Sequence, residues 1–350
     1  STGVPTDTVA ARIANSPQFV IATAVTSERI QMAFGGVPSG GAEADRDRRR
    51  IFWSDSEDNT DWTASSTNQA GDHIIDTEGD LLGAVKVRDQ LLIFTTIDAH
   101  TATYVGLPYV YSFDRVGEAC GPVSINAVAV AGPTAYWMGR SAQGFFMFDG
   151  YVRPIPCDVE SFLVTEMNQA QASKVVAWHN TLFNEIVWFY PGDTTEVDAY
   201  ISYNYLEKHW AVGTLARTGV MSRGIFLQPI LFDADGNPYE HEVGNNYEDV
   251  GEDALVPYVE SGPIQLGNGD RVLSATSLIP DVTSLGDITT TFYTRMYPTD
   301  SDTAHGPYTM AAPTSVRFTG RTCRMKATSD SNEAWNLGIP RLEMQPGGRR

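Results

Sequence analysis

Residues 121–157, GPVSINAVAVAGPTAYWMGRSAQGFFMFDGYVRPIPC, constrain this chain more than any other stretch. Residues 125–130 alternate apolar and small side chains at period two, as a strand does. Gly132-Pro133 breaks the pattern, because proline lacks an N–H and glycine admits positive φ. Residues 135–138 are apolar and aromatic, which suits a pleated surface. The glycine-flanked polar segment 139–144 is a second turn. Residues 145–148 form a third strand, and Asp149-Gly150 is a hairpin signal. Residues 151–155 lead out of the motif, closed by Pro154 and Pro156. Three short strands make an antiparallel meander too thin to bury its own faces, so it needs similar sheets beside it.

Weaker copies flank it. Residues 84–96 (AVKVRDQLLIFTT), 175–191 (VVAWHNTLFNEIVWFYP) and 224–239 (GIFLQPILFDADGNPY) each read strand, turn, strand. The middles of the first strands fall at Val87, Val130, Ala177 and Phe226, spaced 43, 47 and 49 residues apart. Several strands per unit at that spacing predict an all-β fold of β-propeller-like repeats, with an irregular β-sandwich as the alternative. The blades are expected over residues 1–255. A closing β region is expected over 256–350, where longer alternating strands at 261–280, 287–298, 315–327 and 337–344 either close the ring or form a separate sheet. Elsewhere, a hairpin is expected around Ser27-Glu28-Arg29, a loop over 35–47, and a helix over 160–174.

Charge narrows the partners. The 350 residues carry a net charge of −19 with a pI near 4.6. That argues against tight sequence-independent nucleic-acid binding, which needs cations on phosphates, and against adhesion to an anionic membrane. The cations are mostly Arg, the better partner for a carboxylate at an interface. The run Arg46, Arg48, Arg49 and Arg50 is the densest basic patch, read as a solvated face or as an interface with an acidic partner or phosphate. The acidic loop holding Glu248, Asp249, Glu252 and Asp253 is its candidate complement at an interface between copies. Three cysteines with no CxxC pair argue against a disulfide framework and for a reducing site of folding. No apolar run reaches the length of a membrane-spanning helix and no signal peptide is visible, so membrane insertion is not expected.

Chemistry leaves little trace. Serine-hydrolase, P-loop and HExxH patterns are missing, and the six histidines are scattered. Asp233 to Asn237 invites a calcium reading, but its glycine stands fourth where an EF-hand requires it sixth, so a hairpin turn is the better assignment. His241 between Glu240 and Glu242 is weak grounds for a metal site. With 43 carboxylates, chance explains any pair chosen as glycosidase-like. No catalytic, cofactor-binding or metal residue is therefore named.

Two resemblances remain. Residues 51–62 (IFWSDSEDNTDW) are similar to the Asp-box turn of sialidase-type propellers, a folding element. Ser56, Asp58 and Trp62 fit it, whereas Thr60 replaces the expected glycine and Trp62 comes one residue early. More broadly, GDLLGAVKVRDQLLIFTT, PYVYSFDRVGEACGPVSINAVAVAGPTAYWMG and GFFMFDGYVRPIP resemble the propeller of tail-hub or nozzle proteins, of the packaged-DNA-stabilisation type, in short-tailed bacteriophages. YVESGPIQLGNGDRVLSATSLIPD, YTRMYP, VRFTGRTCRMKA and WNLGIPRLEMQPGGRR resemble the closing region of such virion proteins. The resemblance implies a structural, non-enzymatic virion protein without cofactors, assembled in the bacterial cytoplasm. Identical subunits would form a ring, a hexamer by resemblance, against portal, adaptor and other tail proteins. Double-stranded DNA would pass through without sequence recognition, be retained after packaging, and leave at ejection. An acidic channel wall repels phosphates and lets a duplex slide. The alternative function is a carbohydrate-binding or glycoside-hydrolysing propeller.

Overall fold

A computed structural model describes residues 12–140, 144–222, 224, 226–243, 257–266, 271–329 and 334–347. The chain divides into two compact units, Ser1–His241 and Glu242–Arg350. The boundary expected between residues 255 and 256 lies outside the described residues.

The first unit is a series of antiparallel meanders. Four sheets have four strands each, in chain order. They are β1 (Ala22–Val25), β2 (Gln31–Gly36), β3 (Asp47–Trp53) and β4 (Gly71–Ile74); β5 (Leu81–Val87), β6 (Gln90–Thr95), β7 (Ala99–Gly106) and β8 (Val110–Gly117); β9 (Val128–Ala131), β10 (Thr134–Met138), β11 (Phe145–Phe148) and β12 (Val152–Ile155); and β13 (Val176–Asn180), β14 (Glu185–Pro191), β15 (Val197–Asn204) and β16 (His209–Thr214). A fifth sheet has three strands, β17 (Gly219–Met221), β18 (Ile230–Phe232) and β19 (Pro238–Glu240). The first strands of successive sheets lie side by side, β1 on β5, β5 on β9, β9 on β13 and β13 on β17. Sheets placed face to face around their first strands are the blades of a β-propeller-like fold.

The second strand of each blade shows why these sequences stack. In β6, Leu91 and Ile93 enter the core shared with blade one, while Leu92 and Phe94 enter the core shared with blade three. In β10, Ala135 and Trp137 face blade two, and Tyr136 and Met138 face blade four. In β14, Ile186, Trp188 and Tyr190 face blade three, and Val187 and Phe189 face blade five. A strand buried on both faces needs apolar residues at every position, hence the runs LLIF, AYWM and IVWFY. Each buried large side chain contributes about 1.5–3 kcal/mol. Two tryptophans also tie connecting segments to the cores, Trp137 Nε1 donating to the Cys120 carbonyl at 2.6 Å and Trp188 Nε1 to the Ala127 carbonyl at 2.9 Å.

Several local expectations change. The 121–157 motif has four strands, because residues 152–155 pair with β11 as β12. Pro154 is tolerated there because β12 is an edge strand whose outer side needs no N–H donor. Residues 125–127 form a 3-10 turn, with Ser124 Oγ accepting from the Ala127 N–H at 3.1 Å. The expected helix is shorter, α1 (Glu160–Glu166), followed by a 3-10 stretch over Gln169–Lys174. Asn168 separates them because its N–H donates to the Pro191 and Gly192 carbonyls, outside the helix. Phe226 is not in a first strand: it lies exposed between β17 and β18. Residues 22–74, not counted among the repeats, are a complete blade.

Among the described residues, the second unit has two sheets around one core. β20 (Tyr258–Glu260), β26 (Thr322–Ser329), β23 (Ile288–Arg295) and β24 (Thr303–Thr309) are neighbours in that order, with β21 (Ile264–Gln265) also on β26. The other sheet sets β22 (Leu273–Ile279) between β25 (Thr314–Gly320) and β27 (Arg341–Pro346). Their shared core includes Leu278, Phe292, Val316, Phe318 and Ala327. In β25 buried and exposed positions alternate, and in β23 buried and half-buried ones, as in strands with one face the better covered.

Candidate functional site

A meander sorts its turns. The first and third hairpins of every blade lie at one end, and the second hairpin and the link to the next blade lie at the other. At the second end, Asp76, Glu78, Glu118, Asp158, Asp193 and Glu196 are exposed. The links and second hairpins of blades one to four thus carry a concentration of negative charge.

The arginine run sits at this acidic end, entering β3. Arg48 pairs with Asp80 at 2.8 Å, and Arg50 with Asp72 at 2.7 Å. Arg50 also covers the Phe52 ring at 4.9 Å. Arg49 lies 3.7 Å from Asp47 and donates to the Thr77 carbonyl at 3.4 Å. Arg46 Nε is buried without a hydrogen bond. The partners of Arg48 and Arg50 thus come from β4 and from the segment before β5, carboxylates that sequence reasoning did not pair with them. Register reveals the second pairing, since β3 sets Phe52 opposite Asp72 and Arg50 one step away on the same face. The proposed complement Glu248, Asp249, Glu252 and Asp253 lies outside the described residues.

Beside the run, a buried polar network joins blades one and two. Asp98 lies in the second hairpin of blade two and is 3% exposed. It accepts from Thr77 Oγ1 at 2.8 and 3.0 Å and from Thr95 Oγ1. Its Oδ1 is 3.2 Å from His100 Nε2, an ion-pair distance at an angle too poor for a hydrogen bond. Thr95 Oγ1 in turn accepts from the Ile97 and Asp98 N–H groups at 3.1 and 3.0 Å. A carboxylate held this way fixes a tight turn in the interior. Each removed acceptor would strand hydroxyl donors away from water.

Two open clefts lie at the same end. One of about 250 Å³, between blades one and two, is lined by His73, Ile75, Asp76, His100, Phe113 and Arg115. His73 stacks on Phe113 with ring centroids 4.8 Å apart, and Arg115 pairs with Glu118 at 3.1 Å. The other, about 360 Å³, is bordered by Asn126, Ser173, Lys174, Glu196 and Thr218 among others. Its charges neutralise each other, Lys174 Nζ lying 2.6 Å from Glu196.

The other motifs prove structural. Asp58 Oδ1 accepts from the Thr60 N–H and hydroxyl at 2.8 and 2.6 Å, and Trp62 Nε1 donates to the Asn59 carbonyl at 2.7 Å. Ser56 Oγ donates to the Glu28 carbonyl at 2.8 Å, so the Asp-box-like segment is a turn tied to the first hairpin of blade one. The Thr60 hydroxyl bond is the main cause holding the Asp58 carboxyl below its usual range. Asp233 accepts from the Asp235 and Asn237 N–H groups, the Asn237 amide and the Tyr239 hydroxyl, which occupies the oxygens a calcium ion would use. His241 accepts from Arg217 Nε at 2.9 Å. In the second unit, Asp302 accepts from Arg295 and Arg324, and Arg324 also reaches Glu260 while lying over the Tyr293 ring at 4.8 Å. Among the described residues, no group of three His, Cys, Asp or Glu side chains has metal-holding geometry. Among the same residues, no helix is long and apolar enough to cross a membrane.

No family model and no curated protein matches this chain. Similar solved structures include the N-terminal domain of Nup159, at 9% identity and a TM-score of 0.39 over 88% of this chain and 76% of that one. An exo-β-1,3-galactanase from Phanerochaete chrysosporium, with galactose, is 11% identical with a TM-score of 0.30 over 92% and 94%. The fold assignment rests on the blade topology itself.

Proposed function

We propose that this chain is a structural virion protein of a bacteriophage tail, one subunit of the hub or nozzle ring that extends the DNA channel, retains the packaged genome and takes part in its ejection. The sequence resemblance supplies the reading, and the charged end of the blade unit is the observation that supports it best. Exposed carboxylates there outnumber free cations, since Arg48, Arg50 and Lys174 are already matched to Asp80, Asp72 and Glu196. Such a surface presents duplex DNA with net repulsion, which favours passage over adhesion. The Asp58, Asp98, Asp233 and Asp302 carboxylates serve turns and ion pairs, a structural use of acidic residues.

Deleting the gene from the phage tests this. The expected particles fill with DNA and then lose it, and supplying the protein in trans restores retention. Mutant particles that keep and deliver their genomes normally would contradict the proposal, as would catalytic hydrolysis of a glycan panel by the purified protein.

A further inference from the structure

The cleft between blades one and two contains a side chain that packing alone does not explain. His100 is 3% exposed, yet it lines the cleft. Its Nε2 is buried 3.2 Å from Asp98 Oδ1 without a hydrogen bond. Nδ1 also makes no hydrogen bond among the described residues, and unlike Nε2 it is not sealed from open space, so it is the ring nitrogen that the cleft can reach. A nearly buried polar group without a partner calls for one, and here the partner can enter only through the cleft.

Register builds the rest of the cleft. β7 and β8 set His100 directly opposite Arg115, and Ala102 opposite Phe113, so these side chains share the face that blade two turns to blade one. From blade one, β4 and the residues just after it supply His73, Ile75 and Asp76. β4 and β8 are the last strands of their sheets, so the cleft lies at the outer rim, away from the first strands. The exposed His73 ring lies on Phe113, with centroids 4.8 Å apart and the planes 8° from parallel. Arg115 pairs with Glu118 at 3.1 Å, a solvent-exposed contact weak enough for a ligand to displace.

We propose that this cleft binds one neutral sugar ring. An anion there would meet Asp76, with the Asp98 carboxylate behind His100, and a cation would meet Arg115. A neutral polyol suits both signs at once. One hydroxyl donates to His100 Nδ1, which leaves the ring proton on Nε2, facing the Asp98 carboxylate. A second accepts from Arg115, and a third donates to Asp76. The His73 imidazole offers a flat surface for the apolar face of the sugar. The volume of about 250 Å³ falls below the ~300–1,000 Å³ of drug-sized sites, so the occupant is a single small ring. Asp76 is the only carboxylate among the lining residues, and glycoside hydrolysis needs two, so the sugar is held without turnover. The proposal does not rest on the tail reading.

Titrating the full chain with the methyl glycosides of glucose, galactose, mannose and N-acetylglucosamine, followed by NMR, tests this. At least one glycoside is expected to bind and to move the His100 imidazole nitrogen signals to the Nε2–H tautomer. His100→Phe is expected to weaken that binding by about tenfold or more, and Tyr151→Ser, in the third hairpin of blade three, to leave it unchanged. Should His100→Phe lose its cooperative melt, Asp76→Asn and Arg115→Gln carry the test with the same expected loss, because both side chains are solvent-exposed. No binding of any of these glycosides would overturn the proposal and leave the cleft to water. Binding that survives Asp76→Asn and Arg115→Gln would overturn it too, as would inorganic phosphate or benzoate moving the His100 signals where no glycoside does.

Discussion

At His241 a single proton bears on the last blade. Burial, and secondarily the Arg217 guanidinium, push the imidazole down from its usual 6.5 to about 4. The neutral ring accepts from Arg217 Nε, whose guanidinium lies 4.1 Å from the Tyr239 ring centroid. Above pH 6.5 the ring is neutral in both folded and unfolded chains. As pH falls from about 6.5 towards 4, the unfolded chain takes the proton first, so stability is lost over that window. Thermal melts of wild type and His241→Gln across this range should show a few degrees more loss for wild type, and parallel curves would contradict the assignment. Gly121 makes a steric counterpart. A Cβ there would lie 2.3 Å from the Thr96 carbonyl oxygen, a backbone atom with no room to move. Gly121→Ala should therefore cost at least about 1–3 kcal/mol in denaturant unfolding.

Among the elements, the two-faced second strands carry most of the load. Trp188 is fully buried between blades three and four, with its indole N–H on the Ala127 carbonyl. Trp188→Phe keeps the packing but orphans that carbonyl, and should cost about 1–3 kcal/mol in chemical denaturation. Trp137→Ala empties the core between blades two and three and should cost about 3–5 kcal/mol. These strands were legible in the sequence for the same reason that they matter, since burial on both faces writes an unbroken apolar run. Elements that break the pattern were harder to see. Sheet five has strands of three residues, too short for a period to show, and the apolar pattern around Phe226 falls in a loop. Blade one was obscured by the long polar segment between β3 and β4. The fourth strand of blade three was masked by Pro154, whose edge position only the sheet order reveals. The partners of Arg48 and Arg50 were invisible for a related reason, because a cross-strand ion pair depends on register and chain path rather than on neighbouring residues.

On the scale of the whole molecule, the two ends of the blade unit carry different side chains, exposed carboxylates such as Asp76, Glu78 and Asp158 at the end of the links and second hairpins, and exposed apolar tips such as Tyr109, Tyr151 and Leu227 at the other. That polarity was not legible, because it depends on which hairpins share an end, and composition reports only the sum of −19. It gives the arginine run a definite expectation. Reversing Arg48, Arg49 and Arg50 to Glu sets like charges against Asp80 and Asp72, so the variant should lose blade-one stability as well as any lateral contact. Exposed pairs contribute only about 0–1 kcal/mol each, so the stability loss should be small beside an assembly defect. Comparing melting temperature with the yield of the proposed ring separates the two effects. An unchanged ring yield would leave the run with a purely intrachain role. The most direct measurement of the tail assignment is a reconstruction of the virion that encodes this chain. The account predicts a ring of identical copies below the portal, with the carboxylate-bearing end of each blade unit bordering the DNA path. A virion without the protein, or one that holds it away from the DNA path, would contradict it.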